Sequence, residues 1–382
     1  MKLTKTLIAA AIAGAFSAGA YAQSSVTLYG SLDAGIGYVN KVGGGALWAQ
    51  TSGAMSDNYF GLRGSEDLGG GTHAIFKLES GFNIGNGKMG SWFNTNNGTL
   101  FNREAYVGLS NNQYGTVTLG RQYDSVVDYL RPLSLAGKGV NLAAHPFNND
   151  NIGAQYSISN AIKYESTNYD GFHFGGMYSF SNSPGDFSGG RQWSVGTGYE
   201  NGPLKVAAVY DQLNNNYTGA LTGAAQDDGE SIFWAQTQRT FGVGGNYTVG
   251  PATLGLVWTR TKLQNGFGFG NMRFDNIEAN GVYSLTPSLA LVGNYTFTYG
   301  RASDLNGMTQ DAVERWHSVA LGADYSLSKR TDVYLAGVYQ HTSTGYQGPA
   351  SGDYFQTSIA GMLPASGTPN QVGAVTGIRH RF

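Results

Sequence analysis

The stretch Val26-Thr27-Leu28-Tyr29-Gly30-Ser31-Leu32-Asp33-Ala34-Gly35-Ile36-Gly37-Tyr38 reads in period two. Val26, Leu28, Gly30, Leu32, Ala34, Ile36 and Tyr38 are apolar or small, and Thr27, Tyr29, Ser31 and Asp33 fall between them. Such alternation belongs to a strand with one face in an apolar medium and the other in a polar one. The pattern returns as Phe172, Phe174, Gly176, Tyr178, Phe180, as Leu204, Val206, Ala208, Tyr210, and as Leu289, Leu291, Gly293, Tyr295, Phe297, Tyr299. Counting outward from these segments predicts sixteen strands, the first near 25–39, the second near 58–67 and the last near 371–382.

Short turns punctuate one end of the strands, among them Glu66-Asp67-Leu68-Gly69, Asn168-Tyr169-Asp170-Gly171 and Thr248-Val249-Gly250-Pro251. Tyr164, Tyr199, Tyr247, Tyr283 and Tyr325 stand just before such turns, at one height, as an aromatic girdle at a membrane interface would. The opposite ends carry longer connections rich in Gly, Asn, Ser and Asp: 40–57, 83–100, 182–190, 213–236, 263–272, 301–314 and 341–370. Short turns on one side and long loops on the other are the asymmetry of outer-membrane barrels. Because hydrocarbon cannot satisfy a backbone edge, a membrane sheet must close, and sixteen strands leave an aqueous channel. A secreted sandwich also alternates, but it would carry a larger aliphatic share and fewer aromatics beside turns.

Composition agrees with this reading. The chain has 58 Gly, 24 Tyr, 9 Pro and no Cys, and 13% charged residues against about 25% in ordinary globular domains. So many aromatics exclude a disordered chain, and a net charge of −2 offers no basic excess for nucleic acid. Met1-Lys2-Leu3-Thr4-Lys5, the apolar run Leu7 to Phe16 and Ala20-Tyr21-Ala22 read as a signal peptide, residues 1–22, cleaved after Ala22. An uncleaved anchor would need about 20 apolar residues, twice that run. Residues 23–382 form a single barrel domain, and the destination is the bacterial outer membrane.

Ser24-Ser25-Val26-Thr27-Leu28-Tyr29-Gly30, Gly61-Leu62-Arg63-Gly64-Ser65-Glu66-Asp67-Leu68-Gly69, Ala105-Tyr106-Val107-Gly108-Leu109, Thr118-Leu119-Gly120-Arg121-Gln122-Tyr123 and Gly377-Ile378-Arg379-His380-Arg381-Phe382 resemble the trimeric general porins of β-proteobacteria. The resemblance runs across nearly the whole mature length. It implies a passive water-filled diffusion channel for ions and small hydrophilic solutes, without a cofactor. It also implies insertion by the barrel assembly machinery, which reads a final Phe such as Phe382, and neighbours that include outer-membrane lipid and lipopolysaccharide. With closed cyclic symmetry it implies a homotrimer, the first strands and the closing strand lying at the three-fold axis and the 83–100 loop reaching a neighbour.

The same resemblance implies that the long interruption at residues 122–157 is a third loop folded into the barrel to narrow it, where irregular backbone is tolerable because it lines water. An ordinary external loop is the alternative. Alternation places Arg63, Lys77, Glu79 and Lys163 on the lumenal face, since Phe60 and Leu62, Phe76 and Leu78, and Ile162 and Tyr164 take the other one. An Arg or Lys at the hydrocarbon midplane would cost about 2–4 kcal/mol, so the polar interior is where they belong. For Arg103 and Arg121 alternation is ambiguous: placing Tyr106 outward turns Arg103 inward, but also turns Phe101, Val107 and Leu109 in. The resemblance puts both arginines beside the constriction. Relatives carry another arginine where this chain has Tyr156 and Ser157.

Arg63, Lys77, Arg103, Arg121 and Lys163 on the wall against Glu79, Asp124 and Asp128 near the loop give a weak lean toward anions. A lone lumenal base is often only solvated or paired, so the set carries more than any member. Two other functions compete. The long loops could serve an adhesin or receptor. A barrel hydrolase would need a nucleophile and a base held together, and the six histidines stand in no motif; His341 and loop acids lack a paired metal-ligand spacing.

Overall fold

The computed structural model describes residues 25–90, 99–182, 184–185, 187–214, 235–266, 270–303, 311–344, 359 and 368–382. The expected signal peptide lies outside the described residues, as does 91–98 of the 83–100 loop.

The strands are β1 Ser25–Val42, β2 Gly45–Ser52, β3 Tyr59–Gly69, β4 Thr72–Gly81, β5 Glu104–Asn111, β6 Gly115–Gln122, β7 Ile158–Glu165, β8 Phe172–Ser179, β9 Gln192–Asn201, β10 Leu204–Asn214, β11 Thr237–Val249, β12 Ala252–Gly266, β13 Gly270–Ser284, β14 Leu289–Ser303, β15 Ala312–Ser326, β16 Thr331–Thr344 and β17 Asn370–Arg381. Apart from β2 and β3, chain neighbours pair antiparallel, and β1 meets β17 from Ser31↔Arg381 to Val39↔Gly373, so the sheet closes on itself. β1 also pairs with β2 (Ala34↔Ser52) and with β3 (Ser31↔Tyr59), which makes β2 and β3 two halves of one barrel strand. The closed barrel therefore has sixteen strand positions, as expected.

The first connection corrects the sequence reading. Residues 40–57 are not a long loop: β1 continues to Val42, a turn at Gly43 and Gly44 reverses the chain, and β2 returns along β1. Both glycines hold positive φ, 56° and 92°, a backbone that L side chains adopt with strain. Residues 53–58 then leave the sheet and enter the lumen. There the Asp33 carboxylate accepts the Met55 and Ser56 N–H groups at 2.8 and 2.7 Å and the Tyr334 hydroxyl.

Polarity is inverted relative to a soluble protein. Leu28 (60%), Leu256 (66%), Leu321 (65%) and Leu335 (60%) are exposed on the outer face, whereas Asn276, Glu278, Thr296 and Thr298 are buried inside. Leaving a Leu side chain in water rather than burying it forfeits about 1.5–3 kcal/mol. A belt of such residues is stable only in hydrocarbon. Tyr247, Tyr283 and Tyr325 stand outward and exposed near the turn end.

The segment between β6 and β7 fills part of the interior. It begins with a short helical stretch, Val126–Leu130 continued by Arg131–Leu133, and includes single turns at Asn141–Ala143 and Pro146–Asn148. Its apolar side packs on the inner wall: Leu130 and Leu133 on Val209 and Val257, and Leu135, Val140 and Leu142 on Ala320, Ala336 and Val338. A Cβ at Gly196 would sit 2.4 Å from the Tyr129 ring, so a side chain there would displace the loop.

Polar pins complete the seat. Leu135 N–H donates to Glu278 Oε1 (2.7 Å), Asn280 Nδ2 to the Leu133 carbonyl (3.0 Å), and Arg379 Nη1 to the Gly139 carbonyl (3.2 Å). His145 is fully buried between Asp150 Oδ2 (2.6 Å) and Glu278 Oε2 (3.1 Å). Asn141 N–H donates to the Met55 carbonyl at 3.1 Å, so the loop also rests on the 53–58 excursion.

Candidate pore constriction

On the wall left uncovered by the loop, alternation sends Arg63 of β3, Lys77 and Glu79 of β4 and Lys163 of β7 to the lumen, where their side chains meet. Arg63 lies over the Tyr29 ring, 5.1 Å from its centroid, and the Tyr29 hydroxyl donates to Glu79 Oε2 at 2.8 Å. Lys77 Nζ is 3.3 Å from Glu79 and also pairs with Glu104. Arg103 Nε donates to Glu79 Oε1 at 2.6 Å, and its Nη1 to Asp57 Oδ2 at 2.7 Å. From the loop, Asp128 forms an ion pair with Lys163, whose Nζ also donates to the Tyr123 carbonyl at 3.0 Å. The Arg103 guanidinium lies between the Tyr59 and Tyr123 rings, 5.0 and 5.6 Å from their centroids.

Four of the five bases named from sequence thus share one region. Arg121 stands apart: it has the parity of the exposed Val117 and Leu119, and its guanidinium donates to the Asn102 carbonyl (2.8 Å) and Ser159 Oγ (2.7 Å). A bulge beside it lies on the β7 side and leaves the β6 parity unbroken. Gly120 takes φ 137°, and the β6–β7 register shifts between Gly120 and Gln122.

Tyr106 differs from the outward placement used to orient Arg103. Val107 and Leu109 are exposed to the membrane, so Glu104 and Tyr106 face the lumen. Arg103 precedes β5 and reaches inward from a bend, outside the strand's alternation.

The acids divide as well. Asp128 keeps 28% side-chain exposure, whereas Asp124 is 1% exposed. Asp124 Oδ1 accepts the Val126 and Val127 N–H groups at 2.8 and 3.0 Å, and Oδ2 accepts Asn151 Nδ2 at 2.7 Å. It ties the two ends of the loop together and does not line the lumen. Sequence reasoning missed Asp57, hidden in an apparent loop, and Glu104, hidden by the parity of Tyr106. Where relatives were expected to carry an arginine, Tyr156 is buried and its hydroxyl accepts Gln238 Nε2 at 3.1 Å.

Asp57, Glu79, Glu104 and Asp128 therefore lie among Arg63, Lys77, Arg103 and Lys163, charge against charge within one cross-section of the barrel interior. Such a cross-section acts on ions by its field and width.

Comparison with known proteins agrees with the geometry. Residues 9–345 match the family described as Gram-negative porin. An outer membrane porin protein of Bordetella pertussis is 33% identical over 386 residues, covering 88% of this chain and 94% of that one. Outer membrane porin protein 32 of Delftia acidovorans is 32% identical over the full length of both chains. Among solved structures, an anion-selective porin from Comamonas acidovorans superposes with a TM-score of 0.71 at 24% identity, covering 94% of this chain and 100% of that one. With the inverted polarity, the closed barrel and the inserted loop, these matches identify the chain as a member of the Gram-negative porin family, a passive diffusion channel of the outer membrane rather than an enzyme.

Proposed function

We propose that ions and small hydrophilic solutes pass the narrowest part of the lumen between the loop segment Tyr123–Asp128 and the wall bases Arg63, Lys77, Arg103 and Lys163. Asp57, Glu79, Glu104 and Asp128 match these four bases one for one, so selectivity by ion sign is weak; Arg63, which has no ion pair among the described residues and lies on the Tyr29 ring, carries a slight lean to anions. The observation that supports this most directly is the Lys163–Asp128 ion pair, which joins loop to wall at the edge of the opening. In this reading Arg121 and Asp124 hold the backbone and do not contact the solute.

Residues 1–22 are removed on export, the barrel assembly machinery inserts the chain using Phe382, and three copies associate among outer-membrane lipid and lipopolysaccharide. Planar-bilayer recording tests the channel: purified protein gives stepwise conductance, and Arg63→Gln shifts the reversal potential toward cations at low salt. A protein without steps, or an Arg63→Gln channel with wild-type selectivity, contradicts the assignment.

A further inference from the structure

The outer face carries a feature that transport through the lumen does not use. In the register of β10 to β14, Gln212, Arg239, Lys262, Arg273 and Arg301 are successive partners in one row at the loop end. Neighbouring strands lie about 4.8 Å apart, so four bases occupy roughly 14 Å of surface. Like charges directly opposite one another destabilise a sheet.

The next row toward the turn end runs Phe241, Arg260, Asp275, Tyr299, Arg315. Among the described residues, six bases in this band meet two acids: Asp275 pairs with Arg260 and Arg273, and Asp311 with Arg301. Rings support the cations from below or from the same row. Lys262 lies over Phe241 (5.9 Å), Arg260 over Trp258 (5.6 Å), and Arg273 and Arg315 over Tyr299 (5.5 and 5.8 Å).

Directly below, the row Val243, Trp258, Ile277, Phe297 opens the apolar belt. An outward groove in that belt is lined by Val206, Val243, Leu254, Leu256, Trp258 and Ile277, with small residues at Ala208, Gly245 and Ala279. A cationic row stacked on an apolar groove describes an amphiphile with several negative charges on its head and long chains below.

We propose that this face of β10 to β15 binds a multiply phosphorylated, acylated glycolipid of the outer leaflet, its phosphates on Arg239, Lys262, Arg273 and Arg301 and an acyl chain in the groove beneath. This site rests on the proposed lipopolysaccharide surroundings of the barrel and gives that contact a place and a chemistry. It does not depend on where the lumen narrows. Bound phosphate neutralises the row, and guanidinium pairs with phosphate in a bidentate geometry; Arg239 and Lys262 have no acid partner among the described residues, and Arg273 shares Asp275 with Arg260.

The test compares wild type with R239Q/K262Q, two bases without an acid partner among the described residues, and with the turn-end control K329Q/R330Q. The folded proteins in nonionic detergent are titrated by native mass spectrometry with a bisphosphorylated hexa-acyl glycolipid, its dephosphorylated form, and inorganic phosphate. Wild type and control bind the bisphosphorylated lipid, and the dephosphorylated lipid binds at least tenfold more weakly. R239Q/K262Q loses about fivefold per charge removed. Its single-channel conductance stays at the wild-type value, which separates failure here from failure of the pore assignment. Without lipid, its unfolding temperature in micelles equals or exceeds wild type, because the like-charge row is relieved.

Equal lipid affinity of wild type and R239Q/K262Q, or equal affinity for the two lipids, overturns the proposal. So does inorganic phosphate displacing the lipid at equal concentration, which would mark a free-anion site. A change of oligomeric state in R239Q/K262Q also overturns it, assigning the surface to a second copy of the chain.

Discussion

Asp128→Asn separates the two acids that sequence reading had treated alike. The substitution removes one negative charge beside the lumen and leaves Lys163 uncompensated. An ion passing about 5 Å away in a water-like medium gains or loses about 0.8 kcal/mol from one unit charge. Screening with a length of about 10 Å at 0.1 M salt lowers this to about 0.5 kcal/mol, which favours anions roughly 2.3-fold and disfavours cations equally. The anion-to-cation permeability ratio then rises about fivefold, and at 1 M salt, with a screening length of about 3 Å, by about 1.7-fold. Reversal potentials under a salt gradient in planar bilayers measure both values.

The wild type should also titrate. Burial pushes the Asp128 carboxyl up to about 7 against the pull of Lys163. Protonation deletes the negative charge, so lowering pH from 8 to 6 moves wild type toward anions, while Asp128→Asn stays level. Asp124→Asn is the counterpart. Its amide would face the Asn151 amide donor, destabilising the loop by about 1–3 kcal/mol without moving selectivity. A null result for Asp128→Asn at 0.1 M, or an equal shift from a folded Asp124→Asn, would refute this division of roles.

Gly30→Ala should lower the folded yield, read as the heat-modifiable fraction on electrophoresis, because its Cβ would lie 2.5 Å from both Phe382 Cζ and the Tyr59 carbonyl. Deleting Phe382 removes the N–H and carbonyl that pair with Gly30 at the seam, each at 3.1 Å, so outer-membrane levels measured by fractionation should fall. Burial alone would lower the His145 imidazole, but Asp150 and Glu278 carry it up to about 10. With the folded value above the ordinary 6.5, its stabilisation is complete below about pH 6.5 and is lost as pH rises through 10. Thermal unfolding of wild type should therefore drop between pH 7 and 10.5 more than that of His145→Gln, which starts lower by about 3–5 kcal/mol. Sedimentation of detergent-extracted protein should give a trimer, and a monomer alone would contradict the assembly.

The fold was legible wherever the membrane enforces alternation. Val26 to Tyr38 and Leu289 to Tyr299 must place every second side chain in hydrocarbon, and the turn ends carry their own chemistry, as where Asp67 Oδ1 accepts the Gly69 N–H at 2.8 Å. Above the belt that constraint ends. Leu47–Ser52 pairs in unbroken register with β1, and Trp48 meets Tyr38 with ring centroids 4.9 Å apart, yet its Gly-rich approach and polar close read as loop. The same holds for 263–272, where β12 runs to Gly266 and β13 starts at Gly270. Strand propensity is weak there, and pairing with an already fixed neighbour decides the structure.

The site was legible only as far as the strands that carry it. Parity found Arg63, Lys77, Glu79 and Lys163 because each sits between membrane-facing residues. It failed at Arg103, which stands at a bend before β5, and it offered Arg121 no lumenal place, since Arg121 continues the parity of the exposed Val117 and Leu119. A further signal was present: in register, Glu79 faces Glu104, a like-charge pair that a sheet tolerates only with bases beside it, here Lys77 and Arg103. Asp57 and Asp124 had no such signal. Their roles depend on contacts between distant segments, Asp57 with Arg103 and Asp124 with Asn151, formed after the loop and the 53–58 excursion enter the barrel. In the proposed constriction the charges are therefore partly chosen by how two irregular segments pack, and a loop substitution such as His145→Gln should move the reversal potential under a salt gradient without touching the lumen.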